Sequence, residues 1–253
     1  MIQKINEVSR YLPAEYQSLY QGRKGILSYK PVEVRKGVMA GPVEAGEYFR
    51  QEFVQGETDR KSFIVLAAGP MAGGKSTLIG EVAGLFPEAL VVKHSLDLTR
   101  YGRKLVNHSG VIHVPAETYT EATDILDLLP KKTKLVLIDE IQFAQGDARK
   151  LVEGLRRRGV RALIAGLDLD FKKDPWGTTN GLLEVTDESI ILPAICTNNG
   201  CRRPAFFTQR FVNGEPAYRD DPVIQVGGIV NDYTSRCSGC HVVRPSRNGR
   251  SPQ

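Results

Sequence analysis

The chain has 253 residues, a formal net charge of +5, 41% apolar and 25% charged side chains; this is the profile of a globular protein with one large domain or two small ones, not of a disordered or fibrous chain. It contains no uncharged apolar run long enough to span a bilayer, and its start, Met1-Ile2-Gln3-Lys4-Ile5-Asn6-Glu7, carries no apolar signal core, so neither membrane insertion nor secretion is indicated and a cytoplasmic location is expected. The positive charge is concentrated late: from Cys196 onward Arg202, Arg203, Arg210, Arg219, Arg236, Arg244, Arg247 and Arg250 face only Glu215, Asp220, Asp221 and Asp232, a bias that suits a polyanionic nucleotide substrate, a nucleic-acid contact or a solvated surface.

In chain order, residues 1–61 form an N-terminal extension without a phosphate or metal motif. Within it, residues 44–55 have the spacing of an amphipathic helix, with Tyr48, Phe49 and Phe53 on or near one face. Phe63-Ile64-Val65-Leu66-Ala67-Ala68 reads as a buried strand. It runs into Gly69-Pro70-Met71-Ala72-Gly73-Gly74-Lys75-Ser76, which fits the P-loop pattern G-x-x-x-x-G-K-[ST] without a mismatch. Thr77-Leu78-Ile79-Gly80-Glu81-Val82 then opens a helix. A strand, a glycine loop and a helix N-terminus build an anion site from backbone N–H groups and the helix dipole. Lys75 is expected to reach the β- and γ-phosphates of ATP and Ser76 to bind Mg²⁺, with Thr77 completing the segment. A glycine-rich turn with a chance lysine is the plain alternative, and the full match in this context weighs against it.

Leu90-Val91-Val92 is a short strand candidate, and residues 120–129 have helical spacing through Ile125, Leu128 and Leu129. Lys134-Leu135-Val136-Leu137-Ile138-Asp139-Glu140 is an apolar run ending in two acids. Its residues 135–138 predict a central parallel strand, with Asp139 emerging at the carboxyl end beside the phosphates, where it can hold the Mg²⁺ hydration shell. Two carboxylates there are costly unless a cation or a reaction uses them. Residues 147–158 predict a helix closed by Gly159, and Arg161-Ala162-Leu163-Ile164-Ala165-Gly166 another strand. This alternation over residues 62–192 predicts an α/β, P-loop NTPase-like domain with a mostly parallel sheet.

All four cysteines fall in one stretch. Cys237-Ser238-Gly239-Cys240 is a two-residue knuckle, and Cys196 and Cys201 are separated by four residues. Two such pairs across a loop describe a structural Zn²⁺ site; two disulfides or free buried thiols are the alternatives, and disulfides are disfavoured in a cytosolic chain. His241 is expected as a neighbour of the site, although it could replace one ligand. Residues 193–241 are thus read as a small cysteine-bearing module for which zinc binding is expected, followed by a flexible tail over 242–253.

The ordered set of motifs resembles one family, the cellular-type (tetrameric, zinc-containing) thymidine kinases. Gly69-Pro70-Met71 with Gly74-Lys75-Ser76-Thr77 is similar to the family's P-loop, and Asp139-Glu140-Ile141-Gln142-Phe143 to its Asp-Glu-x-Gln-Phe segment. Gly166-Leu167-Asp168-Leu169-Asp170-Phe171 followed by Pro175-Trp176-Gly177 resembles its Leu-Asp-x-x-Phe…Pro-Phe-Gly segment, with Trp176 where the family usually has Phe. Ala205-Phe206-Phe207-Thr208-Gln209-Arg210 is similar to the run between its metal knuckles, and Val226-Gly227-Gly228 with Tyr233 to the loop that closes over the nucleoside. Lys93, Asp97, Arg100 and Tyr101 match more loosely.

The resemblance implies ATP-dependent phosphorylation of the deoxythymidine 5′-hydroxyl, with Glu140 as general base. It implies a nucleoside pocket formed by Met71, Phe143, Leu167, Phe171, Trp176, Thr208, Val226, Gly228 and Tyr233, a zinc that anchors the lid, and a homotetramer. The chain departs from the family in its wider first cysteine pair and a lid loop one residue longer. Gln225 stands where an apolar residue is common, Ala72 replaces a bulkier P-loop residue, and the segment from Asp97 to Arg100 carries an extra residue. These differences leave the phosphate chemistry intact and bear on base selectivity. Two other readings compete: a P-loop ATPase whose zinc ribbon binds nucleic acid, which lacks an obvious downstream helicase motif here, and a weakened relative acting as a binding module, against which Lys75, Ser76, Asp139 and Glu140 are all retained. A nucleic-acid partner is therefore not expected.

Overall fold

The computed structural model describes residues 2–4, 26–29, 62–97, 102–106, 113–224 and 231–247. The helix expected over 44–55, and Arg100, Tyr101, Gln225, Val226, Gly227 and Gly228, lie outside them. Two strands of the N-terminal segment, β1 (Ile2–Lys4) and β2 (Ile26–Tyr29), are followed by β3 (Ile64–Ala68), α1 (Lys75–Leu85) and β4 (Leu90–His94). A small hairpin, β5 (Lys104–Val106) with β6 (His113–Pro115), precedes β7 (Glu117–Tyr119) and α2 (Asp124–Leu128). Then come β8 (Leu135–Asp139), α3 (Ala148–Arg158), β9 (Arg161–Gly166), α4 (Gly177–Leu182) and β10 (Glu188–Ile191).

Eight of these strands form one sheet in the order β1-β2-β10-β3-β9-β8-β4-β7. Every neighbouring pair from β2 to β7 is parallel, and β1 alone runs antiparallel. The protein is α/β, as the alternating pattern predicts. The central strands are apolar through their middles because helices cover both faces, with charged residues only toward their ends. Alternate residues divide between the faces: Ile64, Leu66, Val136, Ile138, Ala162 and Ile164 pack with Ile125 of α2, Leu151 and Leu155 of α3 and Leu182 of α4. Val65, Ala67, Leu135, Leu137, Leu163 and Ala165 pack with Leu78, Ile79 and Val82 of α1.

Local chemistry sets the element ends. Asp147 caps α3 by accepting from the Arg149 N–H at 3.0 Å, and Gly159 closes it at φ 65°. The helix expected over 120–129 shortens to α2, because the residues before it bond elsewhere: the Thr120 carbonyl accepts from the Gln145 N–H at 3.1 Å, and the Ala122 N–H donates to the Gln145 carbonyl at 3.0 Å.

The cysteine-bearing region is built on two small antiparallel sheets. One pairs β11 (Ala194–Ile195) with β12 (Pro204–Ala205); the other has the order β14-β13-β15, from β13 (Phe207–Val212), β14 (Glu215–Pro216) and β15 (Asn231–Arg236). The chain remains tied down beyond residue 241, where a flexible tail was expected to begin. The Arg244 N–H donates to the Ala217 carbonyl at 2.9 Å, Arg247 pairs with Asp221 at 2.8 Å, and both guanidiniums stack on Tyr218, at 3.8 and 4.2 Å from the ring centre.

Candidate active site

In a parallel sheet all carboxyl ends emerge on one edge, and ligands bind there. Here that edge gathers the P-loop after β3, Asp139 and Glu140 at β8, Leu167 and Asp168 after β9, and Leu192 after β10. The P-loop backs tightly onto β10. A Cβ on Gly69 would lie 2.3 Å from the Leu192 carbonyl oxygen, and one on Gly73 2.4 Å from it, so both positions require glycine. Gly74 stands at φ 84° just before α1, whose N-terminus has no side-chain cap and no acid in its first turn. Its positive end is left to an external anion. The buried Lys75 Nζ donates to the loop carbonyls of Pro70 at 2.7 Å and Gly69 at 3.1 Å. Burial holds its ammonium below the usual lysine pKa, and the charges of Glu140, Asp168 and Asp139 oppose that shift.

α1 packs over β8 and β9 and brings Ser76 to the acidic strand end. The Ser76 hydroxyl donates to Asp139 Oδ2 at 2.7 Å, and Asp139 Oδ1 accepts from the Glu140 N–H at 3.0 Å. Below this pair, the Tyr119 hydroxyl donates to the Asp139 carbonyl at 2.7 Å, fixing the end of β8. Burial raises the Asp139 carboxyl above its ordinary pKa, against the Ser76 bond and the Lys75 charge. Glu140 is pushed up to about 7, first by burial and then by Asp139. Gln142 holds it in place: Nε2 donates to Glu140 Oε2, while Oε1 accepts from the Leu167 N–H at 3.0 Å. A Cβ on Gly166 would meet Gln142 Oε1 at 3.0 Å and Ile141 Cγ2 at 2.6 Å, so glycine makes room for this clamp. Gln142 has no role in the motif as read from sequence; its spacing of two from Glu140 is the one local signal for this clamp.

The expected nucleoside residues fall into two groups joined by residues 167–176. Phe143 meets Trp176 edge-on at 5.5 Å and tilts against His94 at 5.9 Å. The Trp176 N–H donates to the Asp168 carbonyl at 2.9 Å, which links this group to Leu167. In the second group, the Arg210 guanidinium lies 5.3 Å from the Phe171 ring centre and 5.9 Å from that of Tyr233. Thr208 joins this group to the P-loop, its hydroxyl accepting from the Met71 N–H at 3.0 Å. Leu167, Phe171 and Thr208 are buried, whereas Met71, Phe143, Trp176 and Tyr233 are partly exposed. Of the looser matches, Lys93 is fully buried and paired with Asp97 at 2.9 Å.

The sulfur atoms of Cys196, Cys201, Cys237 and Cys240 all lie within 4.8 Å of one another, and none is disulfide-bonded. Four thiolates on one zinc at ~2.3 Å bonds sit about 3.8 Å apart, and the Cys201–Cys237 separation is 3.9 Å. The wider first pair is accommodated by a turn with Gly200 at φ 72°, in which the Cys201 N–H donates to the Asn198 carbonyl at 2.8 Å. Arg203 donates to Cys201 Sγ at 3.4 Å and reaches Cys240 Sγ at 3.9 Å, drawing the Cys201 thiol down to about 6. Burial and the neighbouring thiols push Cys237 up to about 12. A bound cation would draw all four to the thiolate form, and the donor set fits structural zinc.

His241 stands apart from the sulfur cluster. Its Nε2 lies 3.0 Å from the Phe171 carbonyl oxygen and 3.1 Å from that of Thr208. Burial, and then the Lys173 charge, hold the ring pKa down to about 4.

The phosphate cradle, the acid pair and the thiol cluster thus occur in one chain, in the order that the resemblance requires. A family model described as thymidine kinase matches residues 62–241, from the strand before the P-loop to the residue after the last cysteine. The chain belongs to the thymidine kinase family and is a nucleoside kinase.

Proposed function

We propose that the protein transfers the γ-phosphoryl group of ATP to the 5′-hydroxyl of deoxythymidine. The observation that carries this reading is the 2.7 Å contact between Ser76 of the P-loop helix and Asp139, with Glu140 as the next residue. It brings a phosphate cradle and a proton acceptor to one point. In the reaction the 5′-oxygen forms a bond to the γ-phosphorus, the bond from that phosphorus to the bridging oxygen breaks, and Glu140 takes the hydroxyl proton. A carboxyl poised near neutrality suits that task, and Gln142 fixes its orientation. Lys75 exchanges its loop carbonyls for the β- and γ-phosphates.

Ser76 and Asp139 offer the hard oxygen donors that Mg²⁺ prefers, and the bound ion would offset phosphate charge. Met71, Phe143, Leu167, Phe171, Trp176, Thr208 and Tyr233, with Val226 and Gly228 from the lid loop, would wall a small flat base. Cys196, Cys201, Cys237 and Cys240 would hold a structural zinc behind it. Assembly into a homotetramer and a cytoplasmic location complete the reading; among the described residues no helix is long and apolar enough to cross a membrane.

The test is to incubate the pure protein with ATP, Mg²⁺ and each nucleoside in turn and to identify the products by mass. Deoxythymidine monophosphate and ADP in equal amounts are expected. ATP hydrolysis without a phosphorylated nucleoside, or stimulated by nucleic acid, would overturn the proposal.

A further inference from the structure

We infer that His241 is a positioning residue, whose ring holds Phe171 and Thr208 of the nucleoside pocket in fixed relation to the cysteine site. The inference rests on the pocket reading given above. The Phe171 and Thr208 carbonyls can only accept, so His241 Nε2 must carry the proton and donate to both. The two carbonyls belong to different elements, 70 and 33 residues away in sequence. One donor therefore spans the turn after β9 and strand β13.

The donor itself is anchored. The His241 N–H donates to the Cys237 carbonyl at 3.0 Å, alongside that of Cys240. The last cysteine knuckle thus fixes the His241 backbone, and the ring packs on Phe207 at 5.5 Å. A second grip acts on the same turn. Arg219 donates to the Lys172 carbonyl at 3.1 Å and to the Asp174 carboxylate at 3.0 and 3.2 Å. That pair is largely exposed and screened by solvent, so it adds little. The His241 bonds are sheltered, and losing the shared donor leaves two peptide carbonyls short of a partner.

Nucleoside affinity is therefore set from behind the pocket. The hydrogen bonds of Lys75, Ser76, Asp139 and Glu140 run within the P-loop and the acidic strand end, and His241 reaches that loop through Thr208, whose hydroxyl accepts from the Met71 N–H. The arrangement separates KM for the nucleoside from kcat. It also places the dependence on a residue that touches neither substrate nor metal.

The test compares His241→Leu and His241→Gln with the wild type, each with its metal content measured. His241→Leu should raise the nucleoside KM about tenfold, the equivalent of ~1.4 kcal/mol, with kcat, ATP KM and zinc content unchanged. His241→Gln keeps an amide N–H donor and should recover most of the loss. Hydrogen exchange across residues 167–176 should be faster in His241→Leu and near wild type in His241→Gln. An unchanged KM in the zinc-loaded Leu variant would overturn the inference, as would equal damage to kcat, KM and zinc content in both variants. Failure of the pocket reading would show separately, as a wild-type protein that phosphorylates no nucleoside. The exchange measurement then decides alone, and unaltered exchange in His241→Leu rejects the positioning role.

Discussion

Glu140 adopts φ 60° and ψ 37°, a left-handed conformation that costs a residue with a Cβ about 1–3 kcal/mol. The strain aims its carboxylate at the P-loop edge, and the Gln142 amide keeps it there. Glu140→Gln preserves size and removes the proposed proton acceptor. Turnover should fall by about 10²–10⁴-fold while nucleotide still binds, which steady-state kinetics and a nucleotide titration would separate; near-normal turnover would exclude Glu140 as the base. The same substitution should reveal the cost of the buried carboxyl. The folded pKa of about 7 lies above the ordinary 4.5, so the stability this group contributes is full below 4.5 and is lost as pH rises through 7. Without added metal or nucleotide, the Tm advantage of Glu140→Gln over wild type should therefore be larger at pH 8 than at pH 5.

Arg203 carries a second prediction at this scale. It spans two of the four thiols, and a Cβ on Gly239 would come within 2.9 Å of its guanidinium. Glycine in the second knuckle thus makes room for a guanidinium beside the four cysteine sulfurs. Residues that hydrogen-bond metal ligands typically govern about 10–100-fold in metal affinity. Arg203→Ala should lose zinc to a competing chelator at correspondingly lower concentration, read by metal analysis rather than by activity. Unchanged retention would show that the guanidinium serves only the fold.

At the scale of elements, the P-loop and β10 form one unit through the Leu192 carbonyl. Gly73→Ala puts a methyl 2.4 Å from a backbone oxygen that no side-chain rotation can move. The loop must shift, at a cost of about 1–3 kcal/mol, and ATP KM should rise together with a lower Tm. A variant with normal ATP KM would mean that the loop binds phosphate in some other conformation.

The elements themselves were largely legible. Residues 161–166 and 147–158 read correctly because short apolar runs, the Asp147 cap and the Gly159 stop are local signals. Residues 120–122 were misread because bonds to Gln145, remote in the chain, captured their backbone. In the candidate site, the cradle, the acid pair and the cysteines were legible as spaced motifs. The Met71–Thr208 and His241–Phe171 links were not, since they join residues 137 and 70 positions apart and no local periodicity reports such contacts.

At the scale of the molecule, the cysteine-bearing module is fastened to the kinase sheet at the carboxyl edge of its strands. Thr208 meets the P-loop, His241 meets the Phe171 turn, and Arg219 meets Asp174. The module's own apolar support is small: Ala194, Cys196, Ala205 and Cys237 are its buried cluster, with Cys201 and Cys240 against it. Half of that cluster consists of the thiols themselves, so a zinc held there would supply much of the module's folding free energy. The sheet carries an extensive core on both faces, to which the module adds only Phe206 and Phe207 on one side. Cys237→Ser should therefore unfold the module selectively. Far-UV circular dichroism should retain the α/β signal, and hydrogen exchange should accelerate across residues 193–247 while β3, β8 and β9 stay protected. The loosened Thr208 and His241 contacts, each worth about 0.5–1.5 kcal/mol, should raise the deoxythymidine KM more than they lower kcat. The single tryptophan, Trp176, lies in the expected pocket, and its emission change on adding deoxythymidine gives a reading of binding that needs no turnover. If Cys237→Ser melts as one unit with the sheet, the two parts share a single folding transition and the zinc supports the whole enzyme rather than the substrate edge.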